Sequence, residues 1–176
     1  TRSDTVLVTS TVYSSAGNPQ SSKDPMAIET RFEQDAMGRE TKRIMNYVAS
    51  SSSSSSSSGG CAPSVDTNIT VETAWNADGN VKTIKAKNAT TGDQTTEYVY
   101  GTTLTDSLIA SSLLKRAEIY PDSVDSSDKI LFEYNRLGET RKITDQGGTV
   151  HEFDYDLLGR QTHDRITTLG SGVDGA

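Results

Sequence analysis

The chain has 176 residues, with 17 Lys and Arg, 24 Asp and Glu, and a net charge of −7. This acidic balance supplies no basic stripe for a nucleic acid and argues against an anionic membrane surface, and no apolar stretch is long enough to span a membrane as a helix. The hydrophobic share of 32% is low for a globular domain, so we expect a chain that is short of core material and depends on neighbouring polypeptide.

The chain begins with an alternating pattern that predicts a strand at 4–13, followed by a loop at 14–25. Further strands are predicted on both sides of each later turn, at 27–34, 39–48, 67–75, 80–87, 94–100, 113–120, 129–135, 139–144, 149–155 and 160–167. Between two of them, Asp106 opens a leucine-containing segment that predicts one or two turns of helix at 104–112.

A run of nine serines and two glycines occupies residues 50–60. Such a composition cannot bury surface, so we expect a Ser/Gly-rich flexible linker over 49–66, with a glycosylation stalk as the alternative. The linker would separate a first hairpin unit, residues 1–48, from further hairpin repeats in residues 67–176. The only cysteine, Cys61, excludes an internal disulfide and a cysteine-based metal site, and we expect an exposed thiol or a disulfide to another chain.

Four short segments share one pattern, in which Asp or Asn stands three residues before Gly. They read QDAMGR at 34–39, WNADGN at 75–80, YNRLGE at 134–139 and YDLLGR at 155–160. Asx-x-x-Gly is typical of a type I turn in which the Asx side chain binds its own backbone and Gly supplies the positive φ of a G1 bulge. We therefore predict hairpin corners at these residues: Asp35, Gly38, Arg39, Trp75, Asn76, Gly79, Tyr134, Asn135, Gly138, Tyr155, Asp156, Gly159 and Arg160.

The last two corners form an internal repeat. Gly138 and Gly159 are 21 residues apart, and a further turn at 145–148 lies between them. Alternating aromatic residues precede each corner, as 132–134 (FEY) and 153–155 (FDY). A period of this length with two turns in each unit indicates stacked hairpins.

Because of these aromatic-Asx-x-x-Gly-Arg corners, the chain resembles the YD-repeat family, also called RHS repeats. The resemblance is clearest over 128–167, good over 29–48 and 71–101, and absent from the serine run. Two corners depart from the family pattern, since Trp-Asn replaces Tyr-Asp at 75–76, and Asn80 and Glu139 replace Arg.

The resemblance implies an all-β fold with little helix, in which antiparallel hairpins form a large curved sheet. In longer relatives that sheet winds into a hollow shell of a secreted or cell-surface protein, often around a toxin domain. The chain would then be a fragment of the repeat region, located outside the cell or at its surface, with its export signal upstream.

Each corner predicts an ion pair, because a G1 bulge places the Asx opposite the residue after Gly. Asp156 would pair with Arg160, and Asp35 with Arg39, as exposed contacts worth a few tenths of a kcal/mol. Beyond the corner at 135–138 the same register predicts Glu133 opposite Arg141 and Leu131 opposite Ile143. Both faces of the sheet are then mixed, which suits a wall that is wet on part of both faces.

The two histidines are the strongest candidates for a metal site. If Phe153 faces His163 across the last hairpin, His151 lies on the same side, but Glu152 and Asp164 point to the other face and no third ligand remains. We therefore predict no metal, and ordinary sheet-face histidines.

Other candidate sites are weaker. Asp122, Asp125 and Asp128 lack the spacing and the Gly of an EF-hand, which favours a solvated acidic loop over a calcium site. No Gly-x-Ser-x-Gly elbow accompanies the serines, so we predict no enzyme and no cofactor. Asn68-Ile69-Thr70 and Asn88-Ala89-Thr90 fit the N-glycosylation acceptor pattern.

Two functional hypotheses follow from this sequence. The first is a non-catalytic structural segment whose edge strands, near 4–13 and 160–167, pair with adjacent YD repeats of the same or another chain. The second is an adhesion module that binds a glycan or a partner protein through exposed aromatic rows, with Trp75 among the candidates for stacking on sugar rings. Packing within the sheet is the alternative role for these aromatic residues.

Overall fold

The computed structural model describes residues 7–49, 67–103, 105, 109–121, 123 and 127–173, which form strands and turns and no helix. The strands are β1 (Ser10–Tyr13), β2 (Pro19–Lys23), β3 (Glu29–Gln34), β4 (Glu40–Met45), β5 (Ile69–Trp75), β6 (Val81–Ala86), β7 (Gln94–Thr102), β8 (Ser111–Ile119), β9 (Lys129–Tyr134), β10 (Thr140–Thr144), β11 (Val150–Tyr155) and β12 (Gln161–Thr168). They are hydrogen-bonded in chain order within one sheet. The all-β prediction of antiparallel hairpins is confirmed.

The predicted loop at 14–25 is wrong, because it contains β2. Two further corners bound this strand, one at Ser14–Gly17 and one at Asp24–Ala27. Their hydrogen bonds match those of an Asx corner, although Ser replaces Asx in the first and Ala replaces Gly in the second. In the predicted strand at 4–13, β1 begins at Ser10, and residues 4–6 lie outside the described ranges.

The predicted helix at 104–112 is also not found in the part of it that the structure describes. Ser111 and Ser112 belong to β8, and Thr102 of β7 pairs with Ser111. Residues 105, 109 and 110 are not helical, and the rest of the segment lies outside the described residues. The pairing of Thr102 with Ser111 thus places Ser111 and Ser112 in a strand and not in the predicted helix.

The chain divides into two compact units. Unit 1 comprises Thr1–Ala74 and Lys85–Asp93, and unit 2 comprises Trp75–Ile84 and Gln94–Ala176. The predicted linker at 49–66 stays a prediction, because all of it except residue 49 lies outside the described residues, as does Cys61.

In unit 1, the strands before and after the serine run pair directly with each other. Met45 lies opposite Ile69, and the Asn68 N–H donates to the Asn46 carbonyl. The Asn68 side chain then brackets Val48, since its Oδ1 accepts the Val48 N–H at 2.9 Å and its Nδ2 donates to the Val48 carbonyl at 3.1 Å.

In unit 2, burial is concentrated where β7, β8 and β9 pair. Ala117 and Tyr134, with relative exposures of 5% and 8%, are the buried hydrophobic residues of the described part of the chain. Thr102 and Thr149 are the buried polar ones. So small a core agrees with the low hydrophobic share of the sequence.

Several corners are followed by a second β-bulge, in addition to the G1 bulge at the corner itself. This second bulge changes the strand register that the sequence predicts. Between β9 and β10, Thr140 pairs with Tyr134 but Lys142 pairs with Glu133, so Arg141 is the extra residue. The predicted pairs are therefore wrong: Glu133 lies opposite Lys142, with an ion pair of 3.0 Å, and Leu131 lies opposite Thr144. Equivalent shifts occur between β1 and β2, between β3 and β4, and between β11 and β12.

The last hairpin carries the same correction. Asp154, and not Phe153, lies opposite His163, while Phe153 lies opposite Asp164. His151 Nδ1 is therefore 3.0 Å from an Asp164 carboxylate oxygen, whereas His163 lies on the opposite face beside Asp154, 3.7 Å away. The two imidazoles do not share a face, because the bulge at Thr162 inverts the alternation.

Candidate functional site

The corner at 155–160 is organised by one carboxylate. Asp156 Oδ1 accepts the N–H groups of Leu158 at 2.9 Å and of Arg160 at 3.0 Å. The backbone closes the same turn, since the Gly159 N–H donates to the Asp156 carbonyl and the Asp156 N–H donates to the Arg160 carbonyl, both at 3.0 Å. A single side chain thus satisfies the polar groups of a turn that faces solvent.

The same arrangement is present at the other predicted corners. The residue after Gly donates its N–H to the Asx side chain at 3.0 Å in Asp35, 2.8 Å in Asn76 and 3.0 Å in Asn135. Three more corners are built in this way, around Ser14, Asp24 and Asp145.

Two of these additional corners were missed in the sequence. A search for Ser as well as Asx three residues before Gly finds the corner at Ser14. The corner at Asp24 is harder to find, because Ala27 occupies the Gly position with φ 63°.

An arginine reinforces two corners in the way the sequence predicts. The Arg39 guanidinium lies 2.7 Å from the Asp35 carboxylate, and that of Arg160 lies 2.7 Å from Asp156. The hydrogen bond from the Arg39 side chain lowers the pKa of Asp35, and the backbone and side-chain bonds from Arg160 lower the pKa of Asp156. At the corner at 134–139, Asn135 Nδ2 instead donates to Glu139 Oε2 at 2.6 Å.

Glycine is favoured where the turn enters the left-handed region, although Ala27 adopts it at the Asp24 corner. Gly159 has φ 77°, and a Cβ on it would lie 2.7 Å from Glu139 Oε1 of the neighbouring corner. Gly138 has φ 82° with open space around it, so backbone strain alone disfavours a side chain there.

The tyrosines before two of the corners bind the backbone of an earlier strand. Tyr134 donates its hydroxyl to the Lys115 carbonyl, and Tyr155 donates to the Thr140 carbonyl, each at 2.7 Å. Burial raises the pKa of both phenols. Trp75, at the corresponding position of the second corner, is half-buried.

The turn tips expose apolar side chains that the corner geometry does not need. Leu137 and Met37 are 79% and 76% exposed, and Leu157 is fully exposed. The tip residues contribute backbone groups to the turn, so we expect substitutions of their side chains to have little effect on the fold.

One face of unit 2 carries six aromatic residues of β7, β9 and β11, because residues opposite each other in antiparallel strands share a face. We name this surface the aromatic face, and its members are Tyr98, Tyr100, Phe132, Tyr134, Phe153 and Tyr155. His151 lies on the same side and stacks on Phe153 with ring centroids 6.3 Å apart.

A lysine lies among these rings. Lys115 Nζ is 4.6 Å from the centroid of Phe132 and 5.4 Å from that of Tyr98, and it forms an ion pair of 2.6 Å with Glu118. A cation over the faces of two rings is a stabilising arrangement, and the carboxylate satisfies its charge.

The opposite face of unit 2 is largely ionic toward β12. Arg165 lies 2.7 Å from Asp154, and Lys142 pairs with Glu133. A depression of about 630 Å³ on this unit is lined by nine residues, among them Val99, Ala117 and Leu131.

Within the described ranges, no group of three His, Cys, Asp or Glu side chains is arranged to hold a metal ion. Asp122 and Asp125 of the acidic loop lie outside those ranges. The described residues contain no helix that is long and apolar enough to cross a membrane.

The chain was compared with known proteins. No protein-family model matches it, and no match was found among curated proteins.

Proposed function

We propose that the chain is a non-catalytic structural repeat segment, part of the wall of a large secreted or cell-surface protein of the YD/RHS type. The observation that carries the proposal is the repetition of one corner, built seven times in the described part of the chain around a Ser, Asp or Asn oxygen that accepts the same backbone N–H. A corner that is repeated with so little variation indicates a structural role, because a catalytic site needs a distinct arrangement of catalytic residues at one place.

The sparse core supports the same proposal. With two buried hydrophobic residues in the described part of the chain, the sheet gains little from packing layers against each other. Its stability then depends on hydrogen-bonded neighbours along the sheet. Repeat arrays are stabilised in this way, through contacts between adjacent repeats.

The size and place of the parent protein test this proposal. An antibody raised against the chain should detect, in the source cells, a polypeptide much longer than 176 residues at the cell surface or in the medium. Detection of a short polypeptide confined to the cell interior would contradict the proposal.

A second candidate is an adhesion module, and the aromatic face favours it. Five half-buried rings on one side of unit 2, beside the buried Tyr134, offer flat apolar surfaces of the kind that stack on sugars. A glycan array with the intact chain and a Phe153→Ala variant tests it, with His163→Ala on the other face as the matched control. Trp75→Ala extends the test to the second corner. If the Phe153→Ala and His163→Ala variants both bind as the intact chain does, the aromatic face is not the binding surface.

A further inference from the structure

The two N-glycosylation acceptor patterns of unit 1 differ in what the acceptor amide does. A glycan on the folded chain needs an exposed Asn Nδ2 with room for the sugar, and the pattern Asn-x-Ser/Thr by itself does not supply this. Asn68 and Asn88 are both exposed as residues, so exposure does not separate them.

Asn68 is already in use as a structural bracket. Its Nδ2 donates to the Val48 carbonyl and its Oδ1 accepts the Val48 N–H, and its backbone lies in the left-handed region at φ 56°. A sugar on Nδ2 would break this two-bond contact, which joins the strands on either side of the serine run.

Asn88 presents the opposite arrangement, in the turn between β6 and β7. Its Oδ1 accepts the N–H groups of Thr90 at 2.9 Å and Thr91 at 3.1 Å, so the side chain is held in an Asx turn across the acceptor pattern itself. No described residue accepts a hydrogen bond from its Nδ2, which is left as the exposed end of the amide.

The turn around Asn88 is fixed by its own contacts. The Asp93 carboxylate pairs with Lys87 and accepts the Asn88 N–H at 3.3 Å. The ion pair lowers the pKa of Asp93 and raises that of Lys87. The acceptor is therefore presented on a closed loop, with all of these groups inside unit 1.

We propose that Asn88 is the acceptor of an N-linked glycan in the folded chain, and that Asn68 is not. In the transfer, Asn88 Nδ2 bonds to the anomeric carbon of an oligosaccharide carried on a lipid pyrophosphate. The bond between that carbon and the phosphate oxygen breaks, the lipid pyrophosphate leaves with the electron pair, and the amide gives up one proton to a base of the transferase. The proposal rests on the export that the proposed function includes.

The test uses the full chain behind a secretion signal in eukaryotic cells, with two matched variants that each remove one acceptor hydroxyl and keep both asparagines. Thr90→Ala should abolish the glycan mobility shift, whereas Thr70→Ala should leave it unchanged. Mass spectrometry after enzymatic glycan removal, which converts a modified Asn to Asp, should locate the change at residue 88. Modification at residue 68 in a folded secreted chain would overturn the proposal.

A secreted chain without any glycan, from cells that modify a reference glycoprotein, would also overturn the proposal. That result would leave the structural role untouched, because the role depends on the length and place of the parent protein. Conversely, a glycan at Asn88 together with a short intracellular parent would contradict the structural role alone.

Discussion

One oxygen atom organises each corner, because a turn in solvent leaves backbone N–H groups that a short polar side chain can reach. Asp, Asn and Ser all fill this role here, at Asp156, Asn76 and Ser14. The type of residue that supplies the oxygen changes only the charge of the corner and its response to pH.

The glycine of the last corner should be far less replaceable than its tip. Gly159→Val forces a β-branched residue to φ 77°, so we expect a loss of about 1 kcal/mol or more of unfolding free energy from backbone strain. Leu157→Ser, at a fully exposed tip, should change it by almost nothing. Urea unfolding of both variants measures the difference, and equal losses would refute the assigned turn.

Acid should weaken the aspartate corners and spare an asparagine corner. The pKa of Asp156 is lowered in the folded chain, so its contribution to stability is present above the ordinary value of about 4 and is lost as the pH falls below that, through the lowered value. NMR of the Arg160 and Asn80 amide groups from about pH 5 to about pH 2 should show a change at Arg160 alone.

Asp156→Asn provides the control for this experiment. It keeps the oxygen that accepts the two N–H groups and removes the ion pair with Arg160. The Arg160 amide should then lose its response to acid. A response that persists in the variant would assign the effect to another group.

At the scale of the element, the second bulge sets which side chains face each other. Thr41 and Thr162 stand at equivalent places after their corners, and each hydroxyl donates to the backbone carbonyl across the ladder at 3.2 Å. The bulge places Lys42 beside Glu33 and Arg165 beside Asp154. It therefore decides the ionic contacts of the sheet.

The segment after β12 returns to the corner at 145–148, and Gly170 permits the approach. A Cβ on Gly170 would clash with the Gly147 carbonyl oxygen, which also accepts the Ser171 N–H at 2.9 Å. Gly170→Ala should cost about 1–3 kcal/mol of unfolding free energy, from overpacking against backbone. Ser171→Ala keeps the N–H and should be nearly neutral. Thermal unfolding that does not separate the two would contradict this contact.

Shortening the serine run should leave β4 and β5 paired. Met45 and Ile69 lie opposite each other, and Asn68 fixes the strand ends through Asn46 and Val48. Because loop-closure entropy depends weakly on length, reduction of 50–58 to three residues should change stability by less than about 1 kcal/mol. Global unfolding of the shortened chain, measured by circular dichroism, would show that the run bridges a fixed distance.

The sequence predicts strands and turns well where a local rule governs them. Asp35, Asn76, Asn135 and Asp156 are found because Asx and Gly have distinct roles at fixed spacing. The corner at Asp24 has Ala27 at positive φ, which no spacing rule anticipates. The other features depend on pairing between strands, which no local sequence rule specifies.

The second bulge is the clearest case of such a hidden pairing. Arg141 and Thr162 look like ordinary strand residues, and only the paired strand reveals that they are extra. The predicted register, and with it the placement of His163, fails for this reason. The aromatic face also depends on pairing, since strands distant in the sequence contribute to it.

At the scale of the whole molecule, β1 and β12 are the two ends of the strand order. All eight residues of β12 are exposed, and its charged side chains already pair with β11, as in Arg165 with Asp154. An edge strand whose charges are occupied still offers unpaired N–H and C=O groups to another strand. We therefore expect association edge to edge.

Sedimentation of the isolated chain at micromolar concentration tests this expectation most directly. The structural role predicts association, marginal stability of the monomer, and weaker association of an Ile166→Lys variant, whose charge blunts the exposed edge of β12. If the unsubstituted chain and the Ile166→Lys variant are both monodisperse monomers that unfold cooperatively, the stability of the chain does not depend on neighbouring strands and the account is contradicted.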